Sequence, residues 1–417
     1  MQNEISLSNS DHLQLLFDYK IKKEGGTANT SQLLIELASP IGSGELKNYL
    51  LSNKYFKQLI NTTLLRQLFH KDRYRFVENE ELFFSEVTYD KLDYSIVFQN
   101  DNISAKPLKI TLIQLPSHSL VLIQVNHVFI DYNGVKNLLR SFGGQEFEFH
   151  RTLKPEANPF FKRLKYGVEF SKIMLTKWRE PISNIASDDK SPIHKEYIIH
   201  HFTGEETEYI QSKIVRSYHI KSMSALLMAN YCKVLEEFIL NKGGKLEKFT
   251  FQQPFEMTSK KEPQYILGNR FAFFHYRLSA AQITTIDSIQ KEINKQTMDQ
   301  MKRNVVSKSL DLQSFLCFFK FPIQYWMVNL PAKGKMTSFA HTFIGESKII
   351  DHFAGREVTN IRNIPPVMKN PPVTFGGGYY DGNLRVQMCY DSNSLSEAEG
   401  NSLFESLKAH LLSNESY

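Results

Sequence analysis

The stretch Ser119-Leu120-Val121-Leu122-Ile123-Gln124-Val125-Asn126-His127-Val128-Phe129-Ile130-Asp131-Tyr132-Asn133-Gly134 decides how this chain is read. The nearly unbroken apolar run up to Val125 suits a strand covered on both faces. It runs straight into His127, and Asp131 follows four residues later in a tight turn that Gly134 lets bend back sharply. Beyond the glycine, Val135, Leu138, Leu139 and Phe142 return at helical spacing. A buried strand therefore delivers an imidazole to the mouth of a turn. Such a ring, with an ordinary pKa of about 6.5, takes a proton from a hydroxyl or amine if its rotamer and tautomer are fixed. A carboxylate nearby can fix the loop that holds it. The plain alternative is a strand-capping histidine followed by a helix-starting aspartate.

Outward from this stretch, the spacing predicts strands over 31–37, 74–77, 108–115 and 120–125. A helix is expected over 44–69, from Leu46, Leu50, Leu51, Phe56, Leu59 and Ile60. Residues 151–180 carry eight Lys/Arg against three Asp/Glu, with Phe160, Phe161, Leu164, Val168, Leu175 and Trp178 spaced for one helix face. They read as a basic amphipathic helix ended by Pro181, and 181–192 as a linker. The second half restarts with a strand over 196–202 and helices over 205–215 and 222–238. Strands over 249–254, 271–278 and 384–390 follow. A last helix opens on the capping box Ser396-Glu397-Ala398-Glu399. The organisation is thus an N-terminal subdomain, 1–180, the linker 181–192 and a C-terminal subdomain, 193–417. Both halves share a rough order of strand, helix and strands, which suggests a duplicated unit.

Composition narrows the classes. The chain has 417 residues, enough for about two to three domains. Its 50 Lys+Arg against 44 Asp+Glu leave a charge of +6, no nucleic-acid signature by itself. The 31 Phe and 19 Tyr point to β-rich interiors or a large apolar cleft. Cys232, Cys317 and Cys389 form no CxxC, which excludes a zinc ribbon or thioredoxin motif, and so sparse a count fits a reducing cytoplasm. No metal-ligand spacing such as HExxH occurs, so no metal is expected. Neither a secretory leader pattern nor an apolar run of about 18 residues is present, so a cytoplasmic location is expected. His200-His201 reads as a strand end. Gly376-Gly377-Gly378 lacks the Lys-Ser/Thr of a phosphate loop and reads as a hairpin turn.

On these residues the chain resembles the superfamily of acyltransferases that use coenzyme A or carrier-protein thioesters. It includes chloramphenicol acetyltransferase, the condensation domains of peptide synthetases, wax ester synthases and alcohol acetyltransferases. The family's HHxxxDG is similar to Asn126-His127-Val128-Phe129-Ile130-Asp131-Tyr132, with Asn126 in place of the first histidine and Tyr132 in place of the glycine. Leu64-Leu65-Arg66-Gln67-Leu68-Phe69 resembles its early Leu-Arg-x-x-Phe segment, and Leu267-Gly268-Asn269 its Leu-Gly-Asn. Residues 337–345 are similar to a late family strand, and Tyr380-Asp381-Gly382-Asn383-Leu384 to its last hairpin.

The resemblance implies an α/β (α+β) fold of two chloramphenicol acetyltransferase-like subdomains. Mixed sheets flanked by helices would build them, with an active-site tunnel between. It implies an acyltransferase in which His127 is the general base and Asp131 holds it. Asn126, Gly134, Gly268 and Asn269 would be structural, and Ser338 or Thr342 would supply the oxyanion donor. No bound cofactor is implied; the co-substrate is an acyl-CoA or acyl carrier protein thioester. The acceptor is a small molecule or lipid with a hydroxyl or an amine. Many relatives pair the motif aspartate with an arginine after a Pro-x-Asp-Leu strand, but Gln253-Pro254-Phe255-Glu256-Met257-Thr258 has none, so Asp131 needs another partner. The competing readings are a condensation-type enzyme forming amides or esters on carrier-bound substrates, and a degenerate member that only binds. The segment 151–180 is either a solvated connector or a docking element for a membrane surface or an acidic carrier protein.

Overall fold

The computed structural model describes residues 4–65, 72–77, 81–92, 94, 103, 106–150, 165, 168, 181–187, 189, 191–257, 263–316, 319–329 and 337–413. The first half contains β1 (Glu4–Ser6), α1 (Asn9–Lys23), β2 (Thr30–Leu37), α2 (Ser43–Ser52), α3 (Lys54–Ile60), β3 (Thr62–Leu65) and β4 (Arg73–Phe76). It continues with β5 (Phe84–Thr88), β6 (Leu108–Gln114), β7 (Ser119–Asn126), α4 (Tyr132–Phe142) and β8 (Glu148–His150). The second half begins with β9 (Lys195–His201), α5 (Gly204–Ser212), α6 (Met223–Asn241), β10 (Lys248–Glu256), β11 (Tyr265–Leu267) and β12 (Phe271–Ser279). Helices α7 (Ile286–Lys302), α8 (Val305–Leu316) and α9 (Phe321–Asn329) follow. The half ends with β13 (Phe339–Glu346), β14 (His352–Phe353), β15 (Arg356–Ile364), β16 (Val373–Tyr380), β17 (Asn383–Asp391) and α10 (Glu397–Leu412).

Two mixed sheets organise the molecule, with strand orders β14-β15-β2-β7-β6-β5 and β12-β10-β13-β16-β17-β9. The duplication expected from sequence is visible in their wiring. In the first sheet β2 is antiparallel to β7, β7 antiparallel to β6, and β6 parallel to β5. In the second, β9, β17, β16 and β13 repeat that pattern. The likeness reaches single hydrogen bonds at the strand ends. The Asn126 amide donates to the Pro107 carbonyl at 2.9 Å, as Asp391 does to Pro372 at 2.9 Å. His127 donates to Asn29 at 3.0 Å, as Ser392 does to His194 at 2.8 Å. The Asn126 side chain accepts from the Val128 amide, as Asp391 accepts from Asn393. Asp131 and Ser396 then cap the next helix, each accepting from the amide three residues on.

The halves are not separate in space, because the second-half strand β15 pairs antiparallel with β2 of the first sheet. Buried Arg385 of β17 pins it, donating to the carbonyl of Ile361 and, at 2.8 Å, to Asn360 Oδ1. Residues 193–417 therefore do not close on themselves, although each sheet keeps its own apolar core.

Three expectations are corrected. The helix over 44–69 breaks at Asn53, whose side chain accepts from the Tyr55 and Phe56 amides and starts a new helix; β-branched Thr62 and Thr63 then favour the β3–β4 ladder. The expected helix over 205–215 ends at Ser212. Gly376–Gly378 lie inside β16 rather than in its turn. A Cβ on Gly376 would come within 2.6 Å of the Gln387 side chain, and one on Gly378 within 2.8 Å of the Gly345 carbonyl. The hairpin turn is Asp381-Gly382, with φ of 53° and 78°. The expected basic helix at 151–180 lies outside the described residues except for Lys165 and Val168.

Candidate active site

His127 leaves the end of β7 with its main chain bound on both sides. Its amide donates to the Asn29 carbonyl, and its carbonyl accepts from Asn269 Nδ2 at 2.9 Å. The ring's Nδ1 is shielded from solvent and has no hydrogen-bond partner. Burial pushes the imidazole pKa down to about 4, so the ring is neutral at physiological pH.

Asp131 makes its hydrogen bonds to the main chain and none to the imidazole. Its Oδ1 accepts from the Gly134 amide at 2.9 Å and its Oδ2 from the Arg270 amide at 3.2 Å. The partner that the sequence left unnamed is thus the main chain, on α4 and on the segment entering β12. Burial raises the carboxyl to about 6, opposed by those two amides. Asp131 thus ties the turn after His127, in the first half, to the segment entering β12 in the second.

The glycines explain the close approach. A Cβ on Gly134 would lie 2.3 Å from the Ile266 carbonyl and 2.6 Å from Ile130 Cγ1. Gly268, at φ 101°, donates to the Phe129 carbonyl at 2.7 Å and bridges Ile130. Asn269 Nδ2 then reaches the carbonyls of both His127 and Val128.

Sequence reasoning missed what holds Asn269. Buried Asp11 accepts from the Asn269 amide at 2.7 Å and from its Nδ2 at 3.0 Å. Asp11 is itself in a capping box with Ser8 at the start of α1. Ser8-x-x-Asp11 has the spacing of a helix start; nothing in that spacing announced that the carboxylate reaches the second half. Tyr74, also missed, donates to the Val128 carbonyl at 2.7 Å.

His127 borders a cavity of 620 Å³ between the halves. Phe17, Leu33 and Val125 from the first half and Phe271, Phe273 and Met368 from the second make its walls mostly apolar. Thr342 lines the same cavity. Ser338 does not: its Oγ accepts from the Thr250 amide at 3.0 Å. His341 lines it too, with Nε2 2.6 Å from Ser224 Oγ, and burial lowers its pKa to about 3. Among the described residues, no group of three His, Cys, Asp or Glu is placed to hold a metal ion.

No family model and no curated protein matches the sequence. Solved structures do match. TRI3 trichothecene 15-O-acetyltransferase from Fusarium sporotrichioides is 11% identical with a TM-score of 0.71, over 98% of this chain and 94% of that one. The chain has the fold of acetyltransferases and condensation domains. The first condensation domain of the CDA synthetase gives 11% identity and a TM-score of 0.71, over 100% of this chain and 98% of that one. A starter condensation domain of the rhizomide synthetase RzmA, solved with C8-CoA and Leu-SNAC, gives 10% and 0.66, over 99% and 94%. The two-subdomain α/β architecture read from sequence is therefore the observed one.

Proposed function

We propose that the protein is an acyltransferase that moves an acyl group from a CoA or carrier-protein thioester to a hydroxyl or amine. The observation that carries this reading is the neutral imidazole of His127, held by its own main chain at the wall of a large apolar cavity between two halves. In the reaction, the imidazole takes the proton of the acceptor O–H or N–H. The acceptor atom attacks the thioester carbonyl carbon, the C–S bond breaks, and the thiolate recovers the proton from the imidazolium. Placing both reactants in one cavity supplies much of the advantage. Thr342 is the candidate donor to the oxyanion, because its side chain shares the cavity with His127 whereas Ser338 is engaged with Thr250.

An apolar acceptor, lipid or hydrophobic metabolite, fits the walls best. The names of the structural neighbours support both ester formation and condensation: one is a 15-O-acetyltransferase and others are condensation domains. O-acylation is favoured here because the walls are apolar; a carrier-bound amide-forming reaction is the second reading. No helix of the described residues is long and apolar enough to cross a membrane, and docking through 151–180 belongs to this proposal only as an accessory contact. Incubating the protein with acyl-CoA, acyl-carrier and acyl-N-acetylcysteamine donors of increasing chain length, with apolar alcohols and amines, tests the reading. Acylated acceptor detected by mass is the expected result. Thioesters that stay intact throughout would overturn it.

A further inference from the structure

The sequence of α9, Phe321-Pro322-Ile323-Gln324-Tyr325-Trp326-Met327-Val328-Asn329, holds no charged residue and is apolar nearly all round. A helix of that kind is ordinarily buried on every side. This one is covered on one face only. Phe321 stacks on Tyr19 of α1 with ring centroids 6.2 Å apart, and Tyr325 meets the same ring edge-on at 5.8 Å. Gln324 is buried beside them and donates to the Phe319 carbonyl at 2.6 Å. On the outer face Ile323 is 46% exposed and Trp326 59%, next to exposed Pro322. Trp326 is the most exposed large apolar side chain among the described residues. The charge around this face has one sign. Residues 312–345 include Lys320, Lys333 and Lys335 and no Asp or Glu. Lys320 is exposed and directly precedes the helix. The carboxylate that acts on Tyr325 is that of Glu24 at the end of α1, and both its oxygens are bound by Lys20 Nζ at 2.7 Å.

We propose that α9 docks on an anionic lipid surface, with Ile323 and Trp326 entering the interface and the lysines of this segment meeting the headgroups. Tryptophan suits the boundary between water and acyl chains, and each lysine near an anionic leaflet adds attraction. A second copy of the chain fits this face less well. A stable dimer buries about 800 Å² on each partner, more than three side chains of one short helix supply, and a two-fold contact would bring Lys320 of both copies together. Helix α1 touches α9 through Tyr19 and lines the cavity through Phe17 and Ile21. The docking face therefore lies beside the cavity in which an apolar acceptor would react. Vesicle binding needs no turnover, so the proposal stands or falls apart from the acyl-transfer reading.

Sedimentation of the full chain with phosphatidylcholine vesicles, with and without phosphatidylserine, tests it. Wild type should pellet with the anionic vesicles, and added salt should weaken this. Replacing both side chains, Ile323→Asp with Trp326→Asp, should lower the apparent lipid affinity roughly tenfold or more, at an unchanged thermal midpoint because both face solvent. The chain has two tryptophans, so Trp178→Phe leaves Trp326 as the reporter. Its emission should shift to the blue on anionic vesicles and be quenched by brominated lipid, and this arm decides the matter if the double variant fails to fold. Wild type that does not pellet would overturn the proposal. So would pelleting that a folded double variant retains in full, or Trp326 emission that vesicles leave unmoved, either of which would hand any docking to another segment such as 151–180. A lipid-free dimer that Trp326→Asp dissolves would overturn it in favour of a second copy.

Discussion

At the residue scale, the site separates two tasks that the motif spacing suggests are joined. In the proposed reaction His127 takes the proton, whereas Asp131 spends both oxygens on main-chain amides and holds the turn. Asp131→Asn leaves only one oxygen to face two N–H donors, so one amide loses its acceptor. Chemical denaturation should show a loss of about 1–2 kcal/mol, with kcat reduced through a displaced imidazole. A variant as stable and active as wild type would contradict the clamp. The depressed pKa of His127 gives a second expectation. Its base form survives down to about pH 4, so in Asp131→Asn, which lacks the carboxyl that titrates near 6, kcat/KM should stay level from pH 8 to about 5 and fall only below that. A fall centred near 6.5 would show a solvated ring instead. The His127–Asp131 pattern was legible because strand, turn and helix left signatures on either side of it. Asp11 was not, because its partner Asn269 lies 258 residues away and only folding brings them together.

At the scale of elements, the site exists because three pieces pass within van der Waals contact: the end of β7, the start of α4 and the segment from β11 to β12. Gly134→Ala tests how tight this is. The added methyl meets a carbonyl and a side chain at under 3 Å, which only a shift of α4 against β11 relieves. A loss of about 1–3 kcal/mol is expected from this overpacking, with activity falling further than stability because α4 carries the Asp131 clamp. Thermal melts beside turnover at a temperature where the variant stays folded measure both. Strands with continuous apolar runs, such as β7, and helices with capping boxes, such as α10, were readable. The break at Asn53 was not, since the apolar spacing continues across it and only the Asn53 cap interrupts the helix. Nor was β16, where three glycines read as a turn while side chains from β17, α6 and β13 leave room for nothing larger.

At the scale of the molecule, the fold is one motif used twice and then stitched together. The turn 391–396 repeats the hydrogen bonds of 126–131 with Asp391, Ser392 and Ser396 at the places of Asn126, His127 and Asp131. One copy keeps the imidazole, and the other copy keeps only the frame. Strand β15 explains why a clean division of the chain was too simple: pairing between distant strands leaves no local mark, whereas period-two patterning does. Buried histidines also make this fold sensitive to acid. The unfolded chain protonates His341 near 6.5 but the folded chain only near 3, so the unfolded state binds more protons between these values and this histidine's contribution falls as the pH falls. The stability of His341→Gln relative to wild type should therefore improve steadily from pH 6.5 to 4. A difference independent of pH would contradict the buried neutral ring.

The most direct measurement is the rate of free-thiol release from a matched acyl donor and apolar alcohol, in wild type and in His127→Ala, with and without added imidazole. General-base catalysis is worth roughly 10²–10⁴-fold, so the variant should lose at least a hundredfold while keeping its thermal midpoint, and imidazole entering the vacated cavity should restore part of the rate. A folded His127→Ala that turns over as fast as wild type would remove the imidazole, and with it the proposed reaction, from this site.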